Sequence, residues 1–374
     1  MKIICSKSDL LNGVNIVMKA IPSNTTMSIL NCILIDAEED NIKLIANDGD
    51  MGIETIINGN IVESGKMAID AKLFSEVVRK LPDDDTEINC DKDYNVFIKC
   101  KKSFFELLGE SGESFSYLPG VDKSNSFVIS QLTLKDIIRQ TIFSIGSGDT
   151  NKIMGGIHVV VENDVLKFSS LDGHRISIRK VNLKSKQIVN DDDSKFEAIV
   201  PGKAFNEISK ILSGGAEDDV NIFISTNHVL FEFDDTKVVS RLIEGKYFDV
   251  NKMISQDYNT KITINKKDLY DCIDRTMLFS KEGNKKPVVF SINDNNLKII
   301  VKTPSGSLDE DIEITNEGNN IDIGFNPKFL SDALKVIDDE YVNIHFLNTK
   351  APCYIKDAEE NYIYIVLPIN LNNN

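Results

Sequence analysis

Three stretches of the chain spell nearly the same short helix. They are Ile69-Asp-Ala-Lys72-Leu-Phe-Ser-Glu76-Val-Val-Arg79-Lys-Leu81, Val200-Pro-Gly-Lys203-Ala-Phe-Asn-Glu207-Ile-Ser-Lys210-Ile-Leu212 and Phe325-Asn-Pro-Lys328-Phe-Leu-Ser-Asp332-Ala-Leu-Lys335-Val-Ile337. The leading lysines, 72, 203 and 328, stand 131 and 125 residues apart. Solenoid repeats run only roughly 20–50 residues, so this period is that of a whole domain. Upstream of each copy lies a second helical pattern, Lys7-Ser-Asp-Leu-Leu11, Leu134-Lys-Asp-Ile-Ile138 and Lys266-Lys-Asp-Leu-Tyr270. Between the two come extended runs, Ile42–Ala46, Val165–Ser169 and Leu297–Val301, each followed by a turn signal at Asp48-Gly49, Asp172-Gly173 or Ser305-Gly306. Each third is expected to read β-α-β-β-β-α-β-β-β. Polar or Gly/Pro-containing stretches near Leu118–Asn125 and Gly245–Asp249 set the expected domains at 1–122, 123–247 and 248–374.

A chain of 374 residues with 41% apolar and 27% charged residues can bury a core in each of three such units. No apolar run of the roughly 18 residues needed for a membrane helix occurs, and no cleavable leader is expected. Cys5, Cys32, Cys90, Cys100, Cys272 and Cys353 are scattered, without a C-x-x-C pair or a histidine at ligand spacing. A zinc site or disulfide framework is therefore not expected, and a reducing cytoplasm fits best. Domain-sized repeats with strands at their edges can pair edge to edge, and closing a ring removes the exposed edges. Three units would close on a second copy, head to tail. The bland alternative is a tandem array that presents a long surface.

The net charge of −16 argues against nucleic acid unless the charge is segregated. Over the helical spans 7–20, 71–80, 134–145, 202–213, 266–281 and 327–337 there are 15 Lys/Arg against 8 Asp/Glu, a net +7 that leaves −23 elsewhere. Lys72 and Arg79, Lys203 and Lys210, and Lys328 and Lys335 are each seven residues apart, on one helix face. Glu76, Glu207 and Asp332 stand four residues after the first lysine, so i,i+4 ion pairs on a solvated face are the plain alternative. Recurrence in three units favours a shared task. With acids interspersed, that task is weak phosphate tracking, and the absence of Trp argues against base stacking.

The most reaction-like stretch is Ser170-Leu-Asp172-Gly-His174-Arg175-Ile-Ser177. Catalytic groups have to converge in space, which adjacency in sequence does not supply. No phosphate-binding glycine loop, G-x-S-x-G or H-E-x-x-H motif accompanies it. An enzyme using Asp172, His174 and Arg175 stays as an alternative, beside a tandem scaffold that binds proteins but no DNA.

Asp172-Gly-His-Arg-Ile176 resembles the Asp-Gly-His-Arg-Leu signature of bacterial β sliding clamps, and Tyr364-Ile-Val-Leu-Pro-Ile-Asn-Leu371 resembles their carboxy-terminal Tyr-Val-Val-Met-Pro-Met-Arg-Leu. Arg241-Leu-Ile-Glu-Gly-Lys-Tyr-Phe-Asp249 is similar to a third segment of the same family. The likeness spans the whole chain. It implies an α+β clamp fold: three repeated domains, each with two helices packed on antiparallel sheets, in a homodimeric ring of six domains. It also implies a non-catalytic DNA polymerase processivity factor that encircles duplex DNA without reading sequence and needs no cofactor or metal.

By position, the resemblance implies a hydrophobic peptide pocket of Met154, Leu171, Gly173, His174, Arg175 and Ile176 facing Phe248, Lys252, Met253, Pro352, Ile365, Leu367, Pro368 and Ile369. There the DNA polymerase III catalytic subunit, the clamp loader and other clamp-motif proteins would dock a segment like Gln-Leu-x-Leu-Phe. His174 and Arg175 would orient its polar end. Without the family match, Leu171 and Ile365 read as ordinary core. Lys72, Arg79, Lys203, Lys210, Lys328 and Lys335 would face DNA, and Phe105 and Leu107 would meet Leu278 and Phe279 across the dimer. The chain departs from the family at Phe248, where proline is usual, at Asn370, in the tail Asn372–Asn374, and in the loops near Asn24 and Asp149.

Overall fold

The computed structural model describes residues 1–147, 151–183, 188–189, 195–279 and 286–371. Asp149, Asn372–Asn374 and the end of the 266–281 span lie outside the described residues. The first third runs β1 (Lys2–Ser6), α1 (Lys7–Val17), β2 (Cys32–Asp36), β3 (Ile42–Asn47), β4 (Met51–Ile57), β5 (Asn60–Glu63), β6 (Lys66–Asp70), α2 (Ala71–Lys80), β7 (Asp85–Cys90), β8 (Asn95–Cys100) and β9 (Ser103–Ser111). The second runs β10 (Ser126–Ser130), α3 (Gln131–Thr141), β11 (Gly156–Glu162), β12 (Val165–Leu171), β13 (Arg175–Asn182), β14 (Ile188–Val189), β15 (Phe196–Pro201), α4 (Gly202–Ile211), β16 (Asp219–Ile224), β17 (His228–Phe233) and β18 (Thr236–Arg241). The third runs β19 (Thr260–Asn265), α5 (Lys266–Thr276), β20 (Val288–Asn293), β21 (Asn296–Thr303), β22 (Gly306–Glu313), β23 (Thr315–Gly318), β24 (Ile321–Phe325), α6 (Pro327–Leu334), β25 (Tyr341–Phe346), β26 (Cys353–Lys356) and β27 (Tyr362–Val366).

The helices of each third are thus separated by five strands, not the three expected from the sequence. One missed strand is short and pairs back onto the first strand of its own third: β5 on β1, β14 on β10 and β23 on β19. Strands β5 and β23 are largely exposed, and all three are too short to carry an apolar alternation to read. The other missed strand runs into the helical motif itself: Ile69, Val200 and Phe325 lie within the last two residues of β6, β15 and β24. Side-chain caps then start the helices, as Asp70 accepts from the Leu73 amide at 2.8 Å and Asn326 from the Lys328 amide at 3.0 Å. Helix α6 stops at Leu334, so Lys335 is its C-cap, while Val336 and Ile337 continue as buried chain.

The chain forms two compact units. One comprises residues 1–135, 185–193 and 203–242, the other residues 136–184, 194–202 and 243–374. In the first unit a single sheet of 14 strands runs in the order β14-β10-β16-β17-β18-β4-β3-β2-β6-β9-β8-β7-β1-β5. The second unit holds a nine-stranded sheet, β15-β11-β12-β13-β27-β26-β25-β19-β23, and a four-stranded one, β22-β21-β20-β24. Helix α1 lies on β3 and β4 so closely that a methyl at Gly13 would meet Ile57 and come within 2.9 Å of Leu44. Helices α5 and α6 pack over a core that includes Leu269, Ile273, Phe290, Phe325, Leu330 and Leu334.

The large sheets join repeats by one rule. In the first unit the last strand of the second repeat, β18, pairs antiparallel with β4 of the first, from Thr236↔Thr55 to Ser240↔Met51. In the second unit the last strand of the third repeat, β27, pairs with β13 of the second, from Tyr362↔Arg179 to Val366↔Arg175. Among the described residues, the corresponding strand of the third repeat, β22, has only β21 beside it. Likewise β9 is bordered by β8 along Ser103–Leu108 and reaches β6 only at Gly109–Ser111.

Inside the second unit His158 is buried, stacks on Tyr247 at 4.7 Å and lies 3.3 Å from Glu197. Burial pushes its imidazole down from 6.5 to about 4, against the opposing pull of Glu197. The folded chain therefore keeps His158 neutral where the unfolded chain would protonate it. Its contribution is complete above about pH 6.5 and is lost progressively as pH falls toward 4, on the order of 3 kcal/mol across the window. In urea unfolding from pH 7 to pH 4, His158→Gln is expected to lose stability less steeply than the native chain; parallel curves would refute this.

Candidate functional site

The second unit carries a groove of about 580 Å³ whose floor is a row of side chains across four strands. The register places Leu171 opposite Ile176, Ile176 opposite Ile365 and Ile365 opposite Tyr354, so the row crosses β12, β13, β27 and β26. Met154, Phe248, Lys252, Met253, Ser255, Leu347, Ala351, Pro352 and Leu367 complete the lining with Gly173, His174 and Arg175. Leu171 and Ile365 are buried, yet they form the floor, while Met253 and Leu367 are exposed at the rim. Aliphatic, methionine and aromatic side chains around an open trough suit the apolar anchors of a short peptide.

Twelve of the fourteen residues expected here from the sequence line the groove. Pro368 and Ile369 do not, because the chain has turned away: the Ile369 amide donates to the Gly324 carbonyl at 2.7 Å and pins the tail on β24. Sequence reasoning missed Ser255, Leu347, Ala351 and Tyr354. Tyr354 donates to the Met253 carbonyl at 3.0 Å and accepts from the Ser255 amide at 3.3 Å, fixing the segment that carries the rim. Its place on the Ile365 row follows from strand register alone, and no sequence motif marks it.

The β12–β13 turn is built around Asp172. Its Oδ1 accepts from the His174 amide at 3.0 Å and the Arg175 amide at 3.2 Å, and Gly173 takes the positive φ of 88°. Arg175 lines the groove with its donors committed to the wall. It is 8% exposed and donates to Asp172 Oδ2 at 2.9 Å, Asp332 Oδ2 at 2.7 Å and the Phe143 carbonyl at 2.6 Å, with Phe329 under the guanidinium at 4.5 Å. Burial opposes the charge, but the Asp332 and Asp172 bonds outweigh it and hold the group protonated. His174 remains exposed beside Phe329, and its carbonyl accepts from the Leu367 amide at 2.9 Å. Ser177 is buried and bonded to Ser144 at 2.7 Å. Asp172, Arg175 and Ser177 are thus occupied in holding the wall, and they do not converge with His174 on one reacting point.

All six cations expected to face DNA are exposed. Their ion pairs differ from the expected i,i+4 set. Lys328 does pair with Asp332 at 3.3 Å, but Glu207 pairs with Lys210 at 2.7 Å, while Lys203 reaches Asp48. Lys72 and Arg79 have no ion pair among the described residues. Of the residues expected at a dimer contact, Phe105 and Leu107 take the half-buried face of β9, and Phe104 and Leu108 its exposed face. Leu278 is 73% exposed, and Phe279 lies half-buried against Gly306.

A thrice-repeated αβ unit joined by strand addition, with an apolar groove beside one joint, defines a clamp-type protein. Residues 1–119 match the N-terminal domain of the DNA polymerase III beta subunit, 128–249 its central domain and 251–370 its C-terminal domain. A beta sliding clamp of Staphylococcus epidermidis is 30% identical over 370 residues, 96% of each chain. Among solved structures, a protein from Eubacterium rectale described as a DNA polymerase III beta subunit is 53% identical over the full length of both chains, with a TM-score of 0.95. The DNA polymerase sliding clamp of Bacillus subtilis is 31% identical over 99% of each, with a TM-score of 0.93. The chain belongs to the DNA polymerase III beta subunit family.

Removing Arg175 would leave Asp332 and Asp172 facing each other's charge in a largely desolvated wall. Arg175→Met is therefore expected to cost about 3–5 kcal/mol in urea unfolding, and a loss below ~1 kcal/mol would contradict this reading of the turn.

Proposed function

We propose that two copies of this chain close head to tail into a ring of six domains around duplex DNA and act as a DNA polymerase processivity factor. The observation that carries the reading is the pairing rule: β18 adds to β4 and β27 adds to β13, which leaves their counterparts β22 and β9 without a joint to another repeat. Applying the rule once more joins β22 of one copy to β9 of the other, and two such joints close the circle and cover both of these strands. Charge favours the match, since β22 exposes Asp309, Asp311 and Glu313 while Lys99, Lys101 and Lys102 are exposed at the β8–β9 turn. Phe105 and Leu107 of one copy then meet Leu278 and Phe279 of the second. The domains are taken as 1–122, 123–247 and 248–374.

Encirclement acts by topology. A polymerase tethered to the ring rebinds at high local concentration after each dissociation, without any tight contact between clamp and DNA. Lys72, Arg79, Lys203, Lys210, Lys328 and Lys335 face the phosphates, and a modest positive field on an acidic protein lets the duplex slide. The groove around Ile176, Tyr354 and Ile365 takes a short motif such as Gln-Leu-x-Leu-Phe from polymerase, clamp loader or repair proteins. The chain works without catalysis, in the cytoplasm, where its six free, buried cysteines stay reduced.

Leu278→Asp changes a side chain already in solvent, so the fold is expected to hold while light scattering reports a monomer; a persisting dimer would remove the proposed joint. Protein loaded on a nicked circle is expected to leave when the circle is cut, and retention on linear DNA would count against encirclement. Leu367→Asp is expected to weaken a Gln-Leu-Ser-Leu-Phe peptide at least about tenfold by placing a charge on the apolar rim, with the dimer intact. Unchanged peptide affinity would sink the groove assignment.

A further inference from the structure

The carboxylate of Asp332 on α6 serves two cations of opposite character. Its Oδ2 accepts from Arg175 Nη1 at 2.7 Å, and both of its oxygens lie 3.3 Å from Lys328 Nζ. Arg175 is buried and held by Asp172 and the Phe143 carbonyl as well, whereas the Lys328 side chain is 62% exposed. The same first turn of α6 touches the groove wall directly. Phe329, one residue after Lys328, lies 6.2 Å from the His174 ring and 4.5 Å from the Arg175 guanidinium, and its carbonyl accepts from Tyr364 at 2.9 Å.

We propose that Asp332 is a positioning residue that couples the peptide groove to the DNA-facing surface, so that duplex DNA and a groove peptide strengthen each other's binding. This rests on the reading of the groove and of Lys328 given above. A DNA phosphate competes with Asp332 for the Lys328 ammonium. Once Lys328 turns to the phosphate, both Asp332 oxygens are free to follow Arg175, and the β12–β13 turn is held in the conformation that shapes the wall. The turn also fixes Leu367 at the rim through the His174 carbonyl. Linkage makes the effect reciprocal, so a bound peptide favours the arrangement that releases Lys328 to DNA. An exposed ion pair is weak, which limits the coupling to at most about fivefold in affinity.

The test follows a fluorescein-labelled Gln-Leu-Ser-Leu-Phe peptide by anisotropy on the whole protein, with and without a saturating short DNA duplex at low salt. For the native chain the duplex is expected to lower the peptide Kd about two- to fivefold. Lys328→Met is expected to show the lower Kd from the start and no response to DNA. Asp332→Asn is expected to raise the Kd and also to lose the response, and the Lys328→Met arm stands by itself if Asp332→Asn does not fold. The coupling is overturned if DNA binds the native chain while the peptide Kd is unchanged, or if Lys328→Met keeps the full response. A peptide that fails to bind the native chain at all overturns the groove reading and the coupling with it.

Discussion

Antiparallel strand addition between repeats is the constraint on which the rest of the molecule depends. An isolated repeat would end in one open strand and begin its hairpin with another, each a row of unsatisfied backbone donors and acceptors. Joining β18 to β4 and β27 to β13 satisfies both sides at once and extends the sheets across repeat boundaries. The register of the second joint also has a chemical consequence. By setting Ile176 against Ile365, it brings the β12–β13 turn of one repeat and the carboxy-terminal strand of the next to one groove.

The groove wall is polar within and apolar without. Arg175 sits among two carboxylates, a carbonyl and two aromatic rings, so the charge behind the groove is nearly balanced and the surface offered to a ligand is left apolar. Desolvating such a group is costly unless every donor is met, and here each end of the guanidinium has a partner. In this arrangement a motif that reads like catalysis, Asp-Gly-His-Arg, holds the turn and the groove wall. Asp172 spends both oxygens on the turn and on Arg175, and His174 is the polar side chain left exposed.

The acidic total of the chain and its proposed hold on DNA are compatible because the charge is unevenly placed. The helical spans carry a surplus of cations, whereas strands such as β22 expose a row of acids. Several helix cations are already matched by Asp332, Glu207 or Asp48, which tempers the field without cancelling it. Weak, salt-sensitive attraction is what a sliding contact requires, since a strongly basic bore would grip the backbone.

By itself the sequence determined the threefold repeat, the six helices and the registered cations, because helical periodicity and recurrence are local properties of the chain. It also marked the Asp172–Ile176 turn, through the glycine that a positive φ requires and the aspartate that caps its own turn. The short edge strands escaped it, since strands of two to four residues carry no readable alternation. Tertiary structure alone decided that Tyr354 joins Leu171, Ile176 and Ile365 on one floor, that Ile369 leaves the groove for β24, and that Arg175 faces inward to Asp332. Those outcomes depend on which strands pair and in what register. Pairing is settled between residues up to 191 positions apart, as for Arg175 and Val366, by shared burial and hydrogen bonding that no local pattern encodes.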